Sequence, residues 1–210
     1  MLEANLADRQ VVQYVIRRFG IHAKHKLGQN FLIRPDVVAA IAEAAELGKD
    51  VPVMEIGAGI GTLTQALAET GADVTAFELD KSLERVLSHT LEHYTNIRII
   101  YEDVLKADLK TILGDKDWRC AANLPYYITT PILLSLIQSE LPISLFVFMM
   151  QKEVADRMAA YFVETTVQDY AQNHPVDIDH VYETFYILIM GICCLLYTSP
   201  SPRDISGSRM

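Results

Sequence analysis

Along the first 160 residues, apolar positions switch between the 3.6-residue period of a helix and the short runs of a buried strand. From about Ala7 to Phe19, Val11, Val12, Val15 and Ile16 mark one face of a helix, and Pro35 with Asp36 opens a second that runs to about Ala45. Val51, Val53 and Ile56 predict a strand. It stops at three glycines in alternate positions, Gly57, Gly59 and Gly61, before Leu63, Ala66 and Leu67 restore the helical period. Further strands are predicted from Asp73 to Phe77, Asn96 to Tyr101, Trp118 to Ala122 and Ser144 to Met150. Helices are predicted from Asp80 through Leu83, Val86, Leu87 and Leu91, from Leu105 to Leu113, from Thr130 and Pro131 through Ser139, and from Lys152 to Ala160. Such alternation implies an α/β fold, a mostly parallel sheet flanked by helices, with ligands beyond the carboxyl ends of the strands. Gly57, Glu78, Asp103 and Asn123 each follow a predicted strand and so fall on that edge.

Half of the 210 side chains are apolar and 21% are charged, enough for one sizeable core, and one main domain is expected over residues 1–160. Cys120, Cys193 and Cys194 form neither a disulfide framework nor a metal-ligand spacing, and no secretory signal is visible; a reducing, cytoplasmic setting is expected. The net charge of −9 argues against broad, non-specific nucleic-acid binding but not against a local basic site. Between Asp8 and Asp36 there is no acidic residue, while Arg9, Arg17, Arg18, Lys24, Lys26 and Arg34 supply positive charge. By composition alone this is equally a solvated helix whose basic end suits its dipole.

Beyond Ala160 the pattern lapses. Tyr161 to His180 is acid-leaning and unpatterned, and Ser199 to Met210 is rich in Ser, Pro and Arg. Between them, Phe185 to Tyr197 is an apolar run of 13 residues, shorter than a bilayer span requires, so no membrane insertion is expected.

The glycine turn is the first candidate for chemistry. Alternating glycines at a strand-to-helix junction build a shallow cradle for a nucleoside, although such a turn also occurs for purely structural reasons. The dinucleotide fingerprint Gly-x-Gly-x-x-Gly is not met, because Thr62 holds the third glycine's place. Glu78, about 20 residues further on, is placed to accept both hydroxyl protons of a ribose, and Glu55 puts a second acid next to the turn. Two carboxylates suit a cationic ligand and repel a pyrophosphate. S-adenosyl-L-methionine, a sulfonium, is such a ligand. Asp103 beside Glu78 would accept the exocyclic amine of its adenine.

The second candidate is Asn123-Leu124-Pro125-Tyr126. Proline forces Leu124 extended and stiffens a loop at the same edge. The Asn123 side-chain carbonyl and the Leu124 backbone carbonyl can accept both protons of an amino group while Tyr126 offers a flat face to its ring. An aromatic amine is a poor nucleophile because its lone pair is delocalised, and two acceptors favour the pyramidal form as positive charge develops. The same four residues also make an ordinary turn.

These segments together resemble the ribosomal RNA small-subunit adenine N6,N6-dimethyltransferases. The resemblance is carried by Lys26-Leu-Gly-Gln-Asn-Phe-Leu, Glu55-Ile-Gly-Ala-Gly-Ile-Gly-Thr-Leu-Thr, Phe77-Glu-Leu-Asp, Asp103-Val, Asn123-Leu-Pro-Tyr-Tyr-Ile-Thr-Thr-Pro and Met150-Gln-Lys-Glu-Val-Ala-Asp-Arg-Met, in family order from about Ile21 to Ala160. It implies a Rossmann-like class I methyltransferase fold, acting as a monomer on small-subunit rRNA in the 30S precursor, with methyl groups passing from S-adenosyl-L-methionine to two adjacent adenines near the 3′ end. By the family pattern Asn30, Leu32, Gly57, Glu78, Asp103 and Asn123 line the cofactor site. Asn123 to Tyr126 present the target amine, and the basic segment with Arg17, Arg18, Lys24 and Lys26 lies near RNA phosphates. The target base must leave its stack to reach them.

After Ala160 the resemblance ends. The family's last strands, its Phe-x-Pro-x-Pro segment and its helical C-terminal domain have no counterpart, so residues 161–210 are expected to be foreign to the family, from a frameshift, an assembly junction or a truncated gene. Weakened stability and RNA specificity are expected with that loss. Two other readings stay open, a methyltransferase for another amine such as a glutamine amide or DNA adenine, and a non-catalytic RNA-binding assembly factor. A nicotinamide dehydrogenase fits less well, for want of the glycine spacing and a hydride-site His or Tyr-Lys pair.

Overall fold

Val53 and Met54 are wholly buried, as expected of a strand covered on both faces. They belong to β1 (Pro52–Ile56), which with β2 (Asp73–Phe77), β3 (Ile97–Ile100), β4 (Trp118–Asn123) and β5 (Ile143–Met149) forms one sheet of order β3-β2-β1-β4-β5. The structure is a computed structural model and describes residues 4–21, 31–124, 128–139, 141–150 and 155. The chain divides into two units, Met1–Phe148 and Met149–Met210, and the sheet lies in the first but for the last residue of β5.

β1 pairs in parallel with β2 and β4, and β2 with β3. The chain leaves β1 on one side to make β2 and β3, then returns to place β4 on the other. The order therefore reverses between β1 and β4, and their carboxyl ends form the crevice in which doubly wound sheets bind ligands. Ile56 pairs with Phe77 and with Ala122, and Phe77 with Ile100, so Gly57, Glu78 and Asn123 each stand one residue past an aligned row.

Six helices are described: α1 (Arg9–Phe19), α2 (Pro35–Ala44), α3 (Thr62–Glu69), α4 (Glu84–Thr90), α5 (Leu109–Leu113) and α6 (Thr129–Gln138). α1 begins two residues later than the periodicity implies, because the Asp8 carboxylate accepts from Gln10 N and Val11 N and so ends the helix there. A 3-10 turn, Lys81–Leu83, capped by Asp80, precedes α4. The helix expected from Leu105 is shorter: Asp103 Oδ1 accepts from Leu105 N and closes a turn, and α5 starts only after Asp108, whose side chain caps it through Thr111 N. The helix expected from Lys152 to Ala160 and the tail 161–210 lie outside the described residues, Ala155 excepted. Among the described residues no helix is long and apolar enough to cross a membrane.

The segment ahead of α1 is strapped onto α3. Leu6 N donates to Gln65 Oε1 (2.7 Å), Gln65 Nε2 donates to Ala4 O (3.2 Å) and Tyr94 Oη (3.0 Å), and Thr62 Oγ1 donates to Leu6 O (3.1 Å). Leu6 and Ala7 are buried beneath this clamp.

Candidate active site

Three glycines with positive φ carry the chain from β1 into α3. Gly57 N and Ala58 N both donate to Phe77 O (2.8 and 3.2 Å), which pins the turn to the end of β2. Two of the glycines are required for different reasons. A Cβ on Gly61 (φ +93°) would come within 3.1–3.2 Å of Leu91 Cγ and both its methyl carbons, so this position is closed by packing. Gly57 (φ +86°) faces open space, with nothing within 4 Å of such an atom. Gly59 lies between these extremes, with the Phe31 ring 3.7 Å from its would-be Cβ.

Glu78 joins the turn to β2. Its Oε2 accepts from Gly59 N (2.8 Å) and its Oε1 from Asp80 N (2.7 Å), so each oxygen retains a lone pair for a ligand. Burial raises its pKa, the two backbone donors working against that shift. Gly57, Gly59 and Glu78 are thus held as one unit at the crevice.

Glu55 corrects an expectation. It is 1% exposed, between Ala76 of β2 and Ala121 of β4. Among the described residues neither of its oxygens, nor Thr64 Oγ1 on α3, has a hydrogen-bond partner of good geometry. Burial pushes its carboxyl up to about 8, with the nearby Thr64 opposing the shift, so at neutral pH it is protonated and Glu78 is left as the acid touching the turn. The pairing of two ionised acids argued from sequence fails because one of them is sealed into the core against Thr64 of α3.

Asp103 follows β3, half-buried. Its Oδ1 accepts from Leu105 N (3.1 Å) and its Oδ2 lies 3.7 Å from Lys106 Nζ, so it is a turn residue as well as a candidate ligand group. Asn123 is the last residue of β4 rather than the first after it, and Leu124 is buried behind it. Leu32 lies in the segment that leads into α2 and is half-buried. Arg17 and Arg18 are exposed on the last turn of α1, whereas Arg34 is engaged by Asp36 through Nε–H to Oδ1 (2.8 Å) and a second guanidinium contact, which removes it from the free basic surface. Lys24, Lys26, Asn30, Pro125 and Tyr126 lie outside the described residues.

Sequence reasoning passed over two leucines at this edge. Leu79, after Glu78, and Leu105, near Asp103, are 52% and 39% exposed. An apolar residue directly after a strand-ending acid, where a polar turn is the norm, was the available signal.

A crevice of this plan occurs in many α/β proteins, and comparison with known proteins resolves which. The family model for ribosomal RNA adenine dimethylase matches residues 20–168, more than half of the chain. The chain belongs to the ribosomal RNA adenine dimethylase family. A curated relative, ribosomal RNA small subunit methyltransferase A of Streptococcus thermophilus, is 49% identical over 160 residues, which cover 74% of this chain and 55% of the relative. The chain therefore spans about half the length of the curated relatives it matches. Among solved structures, the 23S rRNA methyltransferase ErmE superposes with a TM-score of 0.56 at 32% identity, covering 63% of this chain and 52% of that one. A dimethyladenosine transferase from Plasmodium falciparum gives a TM-score of 0.51 at 30% identity, over 60% of this chain and 44% of the other. The Rossmann-like methyltransferase fold expected from sequence is the fold found, on the evidence of the strand order as well as of these relatives.

Proposed function

We propose that this chain is an S-adenosyl-L-methionine-dependent dimethyltransferase that acts on two adjacent adenines near the 3′ end of small-subunit rRNA, in the 30S precursor, as a cytoplasmic monomer. One observation carries the reading: the carboxyl end of β4, bearing Asn123 and Leu124, lies next to the glycine turn at the point where the strand order reverses. The family relatives named for rRNA methylation support the substrate class.

The residues present fit the cofactor. Gly57 leaves open the space a Cβ would fill, Glu78 retains acceptors for ribose hydroxyls, and Leu79 and Leu105 offer apolar surface for a base beside Asp103. Asn30 and Leu32 complete the set by family pattern. When bound, S-adenosyl-L-methionine supplies an electrophilic methyl group on a sulfonium. Asn123 and Leu124 accept the two protons of the target amine through their carbonyl oxygens, hold its nitrogen toward the crevice and favour its pyramidal, nucleophilic form. By the family pattern, Tyr126 is the residue that would stack on the target ring, with Pro125 beside it. Glu55, protonated, supports the sheet beneath the turn and adds no charge to it.

The test is methyl transfer from labelled S-adenosyl-L-methionine to undermethylated small subunits, with the label mapped on the rRNA and Asn123→Ala run in parallel. Label on neighbouring 3′-end adenines, absent with Asn123→Ala, is the expected result. Cofactor binding with no label on any rRNA refutes it.

A further inference from the structure

Helix α1 precedes the segment matched by the family model, which begins at residue 20, and its outward face is made of hydrogen-bond donors. Arg9, Gln10, Gln13, Tyr14, Arg17 and Arg18 are exposed, whereas Val12 and Val15 are buried. At 3.6 residues per turn those six positions occupy one continuous half of a helix about 16 Å long. They present guanidinium, amide and phenol groups and no carboxylate, on a chain whose net charge is −9. No ion pair among the described residues involves Arg9, Arg17 or Arg18.

The centre of this face is organised. Arg18 Nη1 donates to Tyr14 Oη at 2.8 Å, and the guanidinium lies 5.9 Å from the centre of the Tyr14 ring and 5.8 Å from that of Phe19. The guanidinium is thereby fixed against two rings before any ligand arrives, which lowers the ordering cost of binding. Tyr14 itself is 57% exposed, with its ring available for stacking. Exposed single aromatics are common; one that is locked to an arginine beside a second arginine is a built combination of flat face and cation. The face is also tied to the crevice: Phe19 packs on His89 (5.4 Å between ring centres), and the next residue, Thr90, donates from Oγ1 to Ile60 O within the glycine turn (3.0 Å).

We propose that Tyr14, on the outward face of α1, is a base-stacking residue for RNA: its ring receives an unpaired base beside the phosphates that the family pattern places near Arg17 and Arg18. The proposal deepens the rRNA reading above and rests on it for the identity of the RNA. An unpaired base is the fitting ligand because every base has a stackable face and single-stranded elements are where RNA exposes one.

The experiment measures affinity of the full chain for a fluorescent hairpin copied from the 3′ end of unmethylated small-subunit rRNA, by anisotropy across a salt series. Tyr14→Ala, Tyr14→Phe and Arg17→Gln are compared, with cofactor affinity and methyl transfer recorded in parallel. Tyr14→Ala is expected to weaken RNA binding roughly tenfold with little change in salt dependence. Tyr14→Phe keeps the ring and stays within about threefold of the parent, and Arg17→Gln lowers the salt slope by about 0.7. Cofactor affinity is unchanged in all three. Undiminished affinity in Tyr14→Ala overturns the proposal. So does loss in Arg17→Gln alone, as plain charge attraction or an acidic protein partner would give, and so does a parent chain with no affinity for the hairpin. RNA affinity that depends on Tyr14 with no methyl transfer would leave this surface standing and remove the catalytic reading instead.

Discussion

Gly57→Ala and Gly61→Ala impose similar backbone strain and should nevertheless fail in different ways. Both positions have positive φ, +86° and +93°, where a Cβ costs roughly 1–2 kcal/mol. At Gly57 the new methyl meets no atom within 4 Å, so the stability loss ends there. At Gly61 it meets Leu91 Cγ as well as both methyl carbons at 3.1–3.2 Å, and a rotation about the last side-chain bond cannot move Cγ away. Leu91 is buried, so relief requires a backbone shift and adds roughly 1–3 kcal/mol of overpacking. For a chain of this size, with each kcal/mol worth about 2–4 °C, melting should fall by about 2–8 °C in Gly57→Ala and by about 4–20 °C in Gly61→Ala, the second loss being the larger. The order reverses for ligand binding. In Gly57→Ala the methyl enters the crevice, and calorimetric titration with S-adenosyl-L-methionine should show at least roughly a tenfold loss of affinity. Adding Leu91→Ala to Gly61→Ala should cost less than the two single losses combined, because each removes the other's clash or void. Equal melting losses in the two glycine variants, or a Gly57→Ala chain that binds cofactor as the parent does, would refute the division of roles.

Glu55 and Gln65 yield two more predictions. Because the native Glu55 carboxyl keeps its proton up to about 8 while an unfolded one titrates near 4.5, the native state binds more protons in between. Stability should therefore fall as pH rises from 5 to 8, with a slope of up to about 1.4 kcal/mol per pH unit. Glu55→Gln, which cannot ionise, should flatten urea midpoints across that window, and an unchanged slope would show that Glu55 is charged in the native state. In Gln65→Leu the buried Leu6 N–H loses its acceptor and Ala4 O its donor, a cost of roughly 1–3 kcal/mol. The urea midpoint should drop and the strap become sensitive to proteases; a variant as resistant as the parent would mean that the clamp is not what holds the strap.

Where a local pattern suffices, sequence and structure agree closely. The span of β2 is the one read from its apolar run, and the glycine turn, Glu78 and Asn123 fall on the expected edge. Local capping chemistry was less visible. Asp103 and Asp108 both compete for backbone N–H groups, and hydrophobic period alone does not say which one starts the helix. Long-range features were invisible. Gln65 reads as an ordinary helix residue until Leu6, 59 positions away, is placed against it. The charge of Glu55 was misjudged for a related reason: an acid near the end of a strand reads as solvated until Thr64 of α3 is placed against it. The Leu79 and Leu105 surfaces gained meaning only once the strand ends were aligned.

The strand order also sets a timetable for β1. Its pairing with β2 joins Glu55 to Ala76, a short way along the chain, whereas its pairing with β4 joins Glu55 to Ala121. At about 5–20 residues per second, that second partner leaves the ribosome roughly 3–13 s after Glu55. For that interval one edge of β1 lacks its neighbour, and an unpaired edge is where a second copy of the same strand can add. The strand at the centre of the finished sheet is thus the vulnerable edge of the unfinished one.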